Sequence, residues 1–438
     1  MHFIDIYNES LIIRDVKGRM ILDSRGNPTV QVRIVTEGYG VGVSNAPSGA
    51  STGKHEAIEL RDGGREFLGK GVKKAVENVN KIIAPAIIGM NAAHQREIDH
   101  KMIEIDGTET KSRLGGNAIV ATSLAVAKAA AYTLGLPLYL YLGGIVADYL
   151  PVPLLNIING GLHSGNKLDF QEFMIVPAGF SEFSEALKAS VEVYHVLKSL
   201  LKENYGPLAI NVGDEGGYAP PIEKTRDALD ILVKAIEKAG YKAGEEIALA
   251  LDIASSRLFD EESKTYILAG EGKKLTREDL ISFYEELVRE YPIVSIEDPL
   301  HEEDFEGYSL ITRELGSKVL IVGDDVFTTN YKRLKKGIEH GSANAILIKV
   351  NQIGTLTETI EVVKLAQENN YRTIISHRSG ETEDTAISDI SVGLNAKLIK
   401  TGAPARGERT AKYNRLLEIY EEIEKPRYPG FTVFPRKP

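Results

Sequence analysis

Ile247-Ala-Leu-Ala-Leu-Asp252 is a run of apolar residues closed by a charged one, and five more runs downstream repeat the form. They are Ile293-Val-Ser-Ile-Glu297, Val319-Leu-Ile-Val-Gly-Asp324, Ala345-Ile-Leu-Ile-Lys349, Thr373-Ile-Ile-Ser-His377 and Ala396-Lys-Leu-Ile-Lys400. The closing residues are separated by 45, 27, 25, 28 and 23 positions. About 25 residues is the length that one strand, one helix and two short loops occupy, so the series predicts consecutive βα units. Continuous apolar strands alternating with amphipathic helices indicate a parallel sheet covered on both faces. The helical stretches include 276–291, where Thr276 and Asp279 are spaced as a capping pair, and 355–369.

Two further strand-like runs lie upstream, Pro153-Leu-Leu-Asn-Ile-Ile158 and Phe170-Gln-Glu-Phe-Met-Ile-Val176, followed by an amphipathic helix over about 181–203. They bring the strand count to eight. Only eleven residues separate Ile158 from Phe170, too few for a helical crossover, so these two strands read as a hairpin. The expected fold is therefore α/β, a (βα)8-type barrel with an irregular opening. A doubly wound open sheet is the alternative, but it leaves the charged strand ends without a common purpose.

Residues before about 145 have a different texture. Thr29-Val-Gln-Val-Arg-Ile-Val35 alternates β-branched and polar residues, and Val72, Ala75, Val76 and Val79 then recur at helical spacing. This predicts a smaller α+β domain over 1–145, a strand meander followed by helices, ahead of the barrel over 146–438. The apolar segment 118–142 contains Lys128 and Pro137 and is rich in alanine, which favours a buried helix over a membrane span.

The composition of the 438 residues is that of a folded globular protein, with 43% hydrophobic and 26% charged residues. A net charge of −10 argues against a general nucleic-acid or anionic-membrane surface. Cysteine is absent, which removes disulfides, thiolate metal sites and cysteine nucleophiles. The first nine residues carry acids where an export signal has a basic patch, so a cytoplasmic location is expected.

In a barrel, strand ends distant in sequence converge on one mouth. Asp252, Glu297 and Asp324 then meet Lys349, His377 with Arg378, and Lys400. Three carboxylates make an all-oxygen site for a hard cation, for which Mg2+ is expected. Lys349 is a candidate general base, its pKa expected to be lowered by a second ammonium and a divalent metal. Glu215, in the turn Asn211-Val-Gly-Asp-Glu-Gly-Gly217, and Glu172 would share a proton by like-charge repulsion. Gly160-Gly-Leu-His163-Ser-Gly165 and Ser48-Gly-Ala-Ser51-Thr-Gly53 are small-residue loops able to close over a ligand. The second is not a P-loop: three residues separate its glycines, and His55 follows Lys54 where Ser or Thr is needed.

These segments, together with Asp23-Ser-Arg-Gly-Asn-Pro-Thr29, Ser295-Ile-Glu-Asp-Pro299 and Ser376-His-Arg-Ser-Gly-Glu-Thr-Glu-Asp384, occur in the order seen in enolases, and the chain resembles the enolase (phosphopyruvate hydratase) family over nearly its whole length. The resemblance implies a barrel opening ββαα and a Mg2+-dependent lyase that interconverts 2-phosphoglycerate and phosphoenolpyruvate, with a lysine base as is general in that superfamily. It implies that Asp252, Glu297 and Asp324 hold one Mg2+ and that Ser51 joins a second one recruited with substrate. It also implies Lys349 as base and Glu215, supported by Glu172, as acid. His377, Arg378, Ser379 and Lys400 would contact substrate, as would His163 from its loop. A homo-oligomer, dimer or octamer, is implied as well. The alternatives are a superfamily racemase or cycloisomerase, which would not need Arg378 and Ser379 for a phosphate, and a non-catalytic protein of the same fold, which would have lost some of these groups.

Overall fold

The computed structural model describes residues 8–49, 53–161 and 164–438. Its N-terminal part is an antiparallel sheet of β1 (Ile13–Leu22), β2 (Pro28–Thr36) and β3 (Val41–Asn45), followed by helices. The helix Gly116–Thr133 is buried along nearly its whole length against that sheet. Small residues make the approach possible: a Cβ on Gly42 of β3 would stand 2.0 Å from the Ala125 carbonyl oxygen. No single helix among the described residues is long and apolar enough to cross a membrane. The pair Gly116–Thr133 and Leu138–Val146 qualifies only by length and composition, bends by 95°, and its first helix is covered by protein.

The larger part begins with β4 (Val152–Asn159) and β5 (Glu172–Val176) and continues, after two helices, with β6 (Ala248–Asp252). A small antiparallel sheet follows, formed by β7 (Phe259–Asp260), β8 (Thr265–Leu268) and β9 (Lys273–Leu275). The series then completes with β10 (Ile293–Glu297), β11 (Leu320–Gly323), β12 (Ala345–Ile348), β13 (Arg372–Ser376) and β14 (Lys397–Lys400). β4, β5, β6 and β10 to β14 close into one eight-stranded barrel. All six runs singled out by their charged ends are barrel strands. The expected hairpin is also present: β5 runs antiparallel to both of its neighbours, β4 and β6, whereas β14 and β4 are parallel. The helices Phe183–Tyr205 and Thr225–Lys238 both fall between β5 and β6, giving the ββαα opening. The capping box of Thr276 and Asp279 begins the helix Arg277–Glu290.

Alternation along the strands sorts the side chains into two environments. Leu249, Leu251, Ile321, Ile346, Ile348, Ile375 and Ile399 pack outward into the main core shared with the helices. Val152, Met174, Ala248, Ala250, Val294, Val322, Leu347, Ile374 and Leu398 fill the lumen, which Val433 and Phe434 close from below.

The N-terminal part is tied to the barrel by buried and half-buried polar contacts. Lys128 pairs with Asp384 at 2.7 Å, and Lys111 pairs with Glu358 at 3.0 Å. Asp99 accepts from the Thr357 amide at 3.0 Å.

Candidate active site

The inward alternation that makes the apolar lumen continues one step further along each strand and there turns polar. β4 supplies Asn156, β5 Glu172, β6 Asp252, β10 Glu297, the residue after β11 is Asp324, the residue after β12 is Lys349, β13 supplies Ser376 and β14 Lys400. Glu172 belongs to this layer although it starts its strand, because reversed β5 places its first residue opposite Asp252, the last of β6. The layer floors a cavity also lined by Gln171, Glu215, Asp298, Asp325, His377, Arg378 and Ser379.

Around the barrel the carboxylates of β5, β6, β10 and β11 form one arc and the lysines of β12 and β14 lie on the other, from which Lys400 reaches across to the acids. Lys400 Nζ lies 3.0 Å from Asp252, 2.8 Å from Glu297 and 3.1 Å from Glu172, all buried. Burial disfavours its ammonium form, but the surrounding carboxylates prevail and hold its pKa well above the lysine value. Burial, then the neighbouring Asp252 charge, raises Glu297 well above the carboxylate range. Burial and then the Glu215 charge do the same to Glu172.

Lys349 departs from expectation. Its ammonium is hydrogen-bonded to Asp324. Burial alone would lower its pKa, but the Asp324 charge outweighs burial and raises it in this structure. The lowering expected from the sequence rested on a second ammonium and a divalent metal nearby and did not count this contact with Asp324. The same contact prevails over burial at Asp324 and lowers its pKa.

The residues fit a hard dication. Asp252, Glu297 and Asp324 are buried oxygen donors, and Asp252 and Glu297 are cross-strand partners. Among the described residues the tightest carboxylate group is Asp298, Asp324 and Asp325, whose ligand atoms all lie within 4.8 Å of one another. It shares only Asp324 with the expected set. Asp298 has another role: its carboxylate accepts the amides of Asp324 and Asp325, each at 2.9 Å, and the Tyr308 hydroxyl at 3.0 Å. It fixes the backbone that presents Asp324, from a positive φ of 43° that few non-glycine residues adopt.

Glu215 is presented by a turn that folds back on itself. The Gly213 amide bonds to the Gly217 carbonyl at 2.8 Å, Gly216 takes a φ of 84°, and the Tyr194 hydroxyl ties down the Gly216 carbonyl at 2.7 Å. Asn156 Nδ2 donates to the Glu215 carboxylate at 3.0 Å, and His377 Nε2 lies 3.5 Å from it. Arg378 bonds to Glu56 at 2.9 Å and to Asn351 at 3.1 Å. Glu56 comes from the N-terminal part and also accepts the Gly53 amide at 3.0 Å. Gln352 donates to Asp324 at 2.9 Å, completing a bridge from that domain to the carboxylate layer.

Of the residues singled out by sequence, Glu172, Glu215, Asp252, Glu297, Asp324, Lys349, His377, Arg378, Ser379 and Lys400 come together in or beneath this cavity. Ser51 and His163 lie outside the described residues. Glu56, Asp298, Gln352 and Arg409 were missed. The local signal for one of them, Glu297-Asp298-Pro299, was read only through the neighbouring residue.

A closed βα barrel with an inward layer of acids and lysines at its mouth, met by loops of a smaller domain, has the architecture of a barrel enzyme. Residues 147–435 match the family described as "Enolase, C-terminal TIM barrel domain", and residues 13–142 match "Enolase, N-terminal domain". The chain is 60% identical to the enolase of Thermococcus kodakarensis over 97% of each chain. It is 62% identical to that of Pyrococcus furiosus, over 93% of this chain and 94% of the relative. The enolase of Methanopyrus kandleri is also 62% identical, over 94% of this chain and 96% of its own. The chain belongs to the enolase family.

Proposed function

We propose that this enzyme catalyses the reversible dehydration of 2-phosphoglycerate to phosphoenolpyruvate and water, as a Mg2+-dependent step of glycolysis and gluconeogenesis. The observation that carries this reading is one cavity lined by a half-buried lysine, Lys349, by the carboxylates Glu172 and Glu215, and by Arg378 and Ser379. That set supplies a base, an acid and groups for a phosphate around a single small anion.

Lys349 Nζ takes the proton from C2, the C2–C3 double bond forms, and the C3–O bond breaks. The Glu172–Glu215 pair delivers a proton to the departing hydroxyl, which leaves as water. Arg378 and Ser379 hold the phosphate, Lys400 the carboxylate, and His377 lines the wall beside Glu215. Mg2+ held by Asp252, Glu297 and Asp324 would stabilise the negative charge that develops on the substrate carboxylate and would draw Asp324 away from the lysine ammonium. Ser51, on a second Mg2+, and His163 complete the site in this reading.

The domain boundary is placed at 145/146. The enzyme is read as a cytoplasmic homo-oligomer, a dimer or an octamer, which the consecutive exposed apolar residues Ile145 and Val146 favour. Light scattering tests the assembly.

The ultraviolet absorbance of phosphoenolpyruvate, followed with purified protein, Mg2+ and 2-phosphoglycerate, tests the reaction. Turnover that vanishes in Lys349→Ala is expected; no turnover, or turnover that survives the substitution, would sink the reading. Unphosphorylated 2-hydroxy acids in the same reaction mixture should remain unchanged, which separates this reading from a racemase or cycloisomerase.

A further inference from the structure

We propose that Arg409 is a positioning residue that holds His377 neutral with its proton on Nε2, making the imidazole a fixed donor to Glu215 and not a carrier of protons. The proposal deepens the reading above, since it rests on Glu215 belonging to the acid pair.

The argument begins with donor and acceptor types. A guanidinium only donates, and Arg409 Nη1 lies 2.6 Å from His377 Nδ1. That nitrogen must therefore offer its lone pair, and the proton of a neutral ring is left on Nε2. Nε2 is the atom that faces Glu215, at 3.5 Å from Oε2. Contacts of this kind are often long before substrate binds and tighten in the complex.

Arg409 is itself completely buried and fixed from several sides. Its two terminal nitrogens donate to the carbonyls of Arg378 and Ser379, each at 2.6 Å, and to that of Asp214 at 3.0 Å. One side chain thus spans the two segments that carry His377 and Glu215 and sets their separation. The far side of the ring is closed by Gly402, where an added Cβ would lie 3.2 Å from His377 Cε1.

A second proton on the ring would put an N–H against the guanidinium with two like charges in contact. The charged groups acting on His377 are Glu215 and Glu381, which favour its cation, and Arg409, which opposes it. Burial is the largest influence, and with Arg409 it pushes the imidazole pKa down to about 4. Nε2 thus faces the same Glu215 oxygen to which Asn156 donates.

The test is the imidazole nitrogen spectrum of the full-length protein grown with isotope-labelled histidine, with the His377 signal assigned by its loss in His377→Gln. The expected result is an unprotonated Nδ1 and a protonated Nε2 that do not change between about pH 5 and 8, the range in which an ordinary histidine titrates. In Arg409→Met the signal should titrate at a higher pH than in the wild type, because the opposing charge is gone while burial remains. There kcat should fall by about 10²-fold, the scale of a misplaced catalytic group, and should acquire a new acidic limb, with KM changed less. Arg409→Lys should regain part of kcat.

A wild-type ring that carries its proton on Nδ1, or is cationic near neutral pH, overturns the proposal. So does a ring that stays locked in Arg409→Met. If neither Arg409 variant folds, the wild-type spectrum still decides. Because the spectrum needs no turnover, failure of the proposed reaction is distinguishable from failure of this inference.

Discussion

The two halves of the barrel lumen are built by the same strands and differ in what holds them together. Below, Ala250, Val322, Leu347, Ile374 and Leu398 fill space. Above, two residues further along, Asp252, Asp324, Ser376 and Lys400 are buried as well, and the charged ones among them, with half-buried Lys349, hold charge away from water. A lower-layer residue depends on its neighbours' volume and can be exchanged for another of similar shape. An upper-layer residue depends on its neighbours' sign, and removing one leaves another buried without a partner. Strand alternation thus builds a scaffold and a reactive surface from a single pattern, the only change being the residue type at the strand's end.

Removing charges from the upper layer should have effects that the lower layer cannot reproduce. The largest is expected for Lys349→Ala, with kcat down on the order of 10⁴-fold, at the upper end of acid–base contributions, and an unchanged circular dichroism spectrum. A loss under tenfold would show that Lys349 is part of the packing and not the base.

Lys400→Met comes next. It strips the shared partner from Asp252, Glu297 and Glu172, and breaking a buried pair in this way costs about 3–5 kcal/mol, read from denaturant unfolding without divalent ion. Added Mg2+ should recover part of that stability by supplying the missing positive charge. Equal loss with and without Mg2+ would count against a cation site there.

His377 gives a smaller and pH-dependent effect. Its folded pKa of about 4 lies below the ordinary 6.5, so the unfolded chain binds the extra proton first as pH falls. This group's contribution is intact above pH 6.5 and is lost as the pH drops towards 4, by about 3 kcal/mol across the window. His377→Gln should flatten that part of the stability profile, and an unchanged slope would argue that the ring is not held neutral.

The smallest effect belongs to the lower layer. Ile374→Val should cost about 1 kcal/mol of stability and leave kcat and KM where they were. A change in turnover would mean that packing below is coupled to the charges above.

The barrel was legible because its strands are buried on both faces and end in charge at nearly even spacing. The reversed strand was legible from arithmetic alone, since eleven residues cannot hold a crossover. Less legible were residues whose partners are far away in the chain. Glu56 meets Arg378 across 322 positions, and nothing local marks it as different from a solvated glutamate. Arg409 lies in the helix Gly407–Glu422, where arginine is an ordinary surface residue, and only the fold reveals that its side chain is turned inward onto His377. The contact that raises Lys349 was hidden for a related reason: sequence places a lysine and an aspartate on neighbouring strands but does not say that Asp324 will be the lysine's dominant neighbour.

The backward course of β5 has an engineering consequence. A connection in a regular βα repeat joins opposite ends of the barrel, but the segment joining Asn159 to Glu172 both departs from and returns to the rim that carries the chemistry. Its length can therefore be varied without shifting the hydrogen-bond register of any other strand pair. A series of insertions and deletions there would resize the entrance to the cavity on an otherwise unaltered barrel, offering a route to bulkier or smaller substrates that leaves the acids and lysines in place.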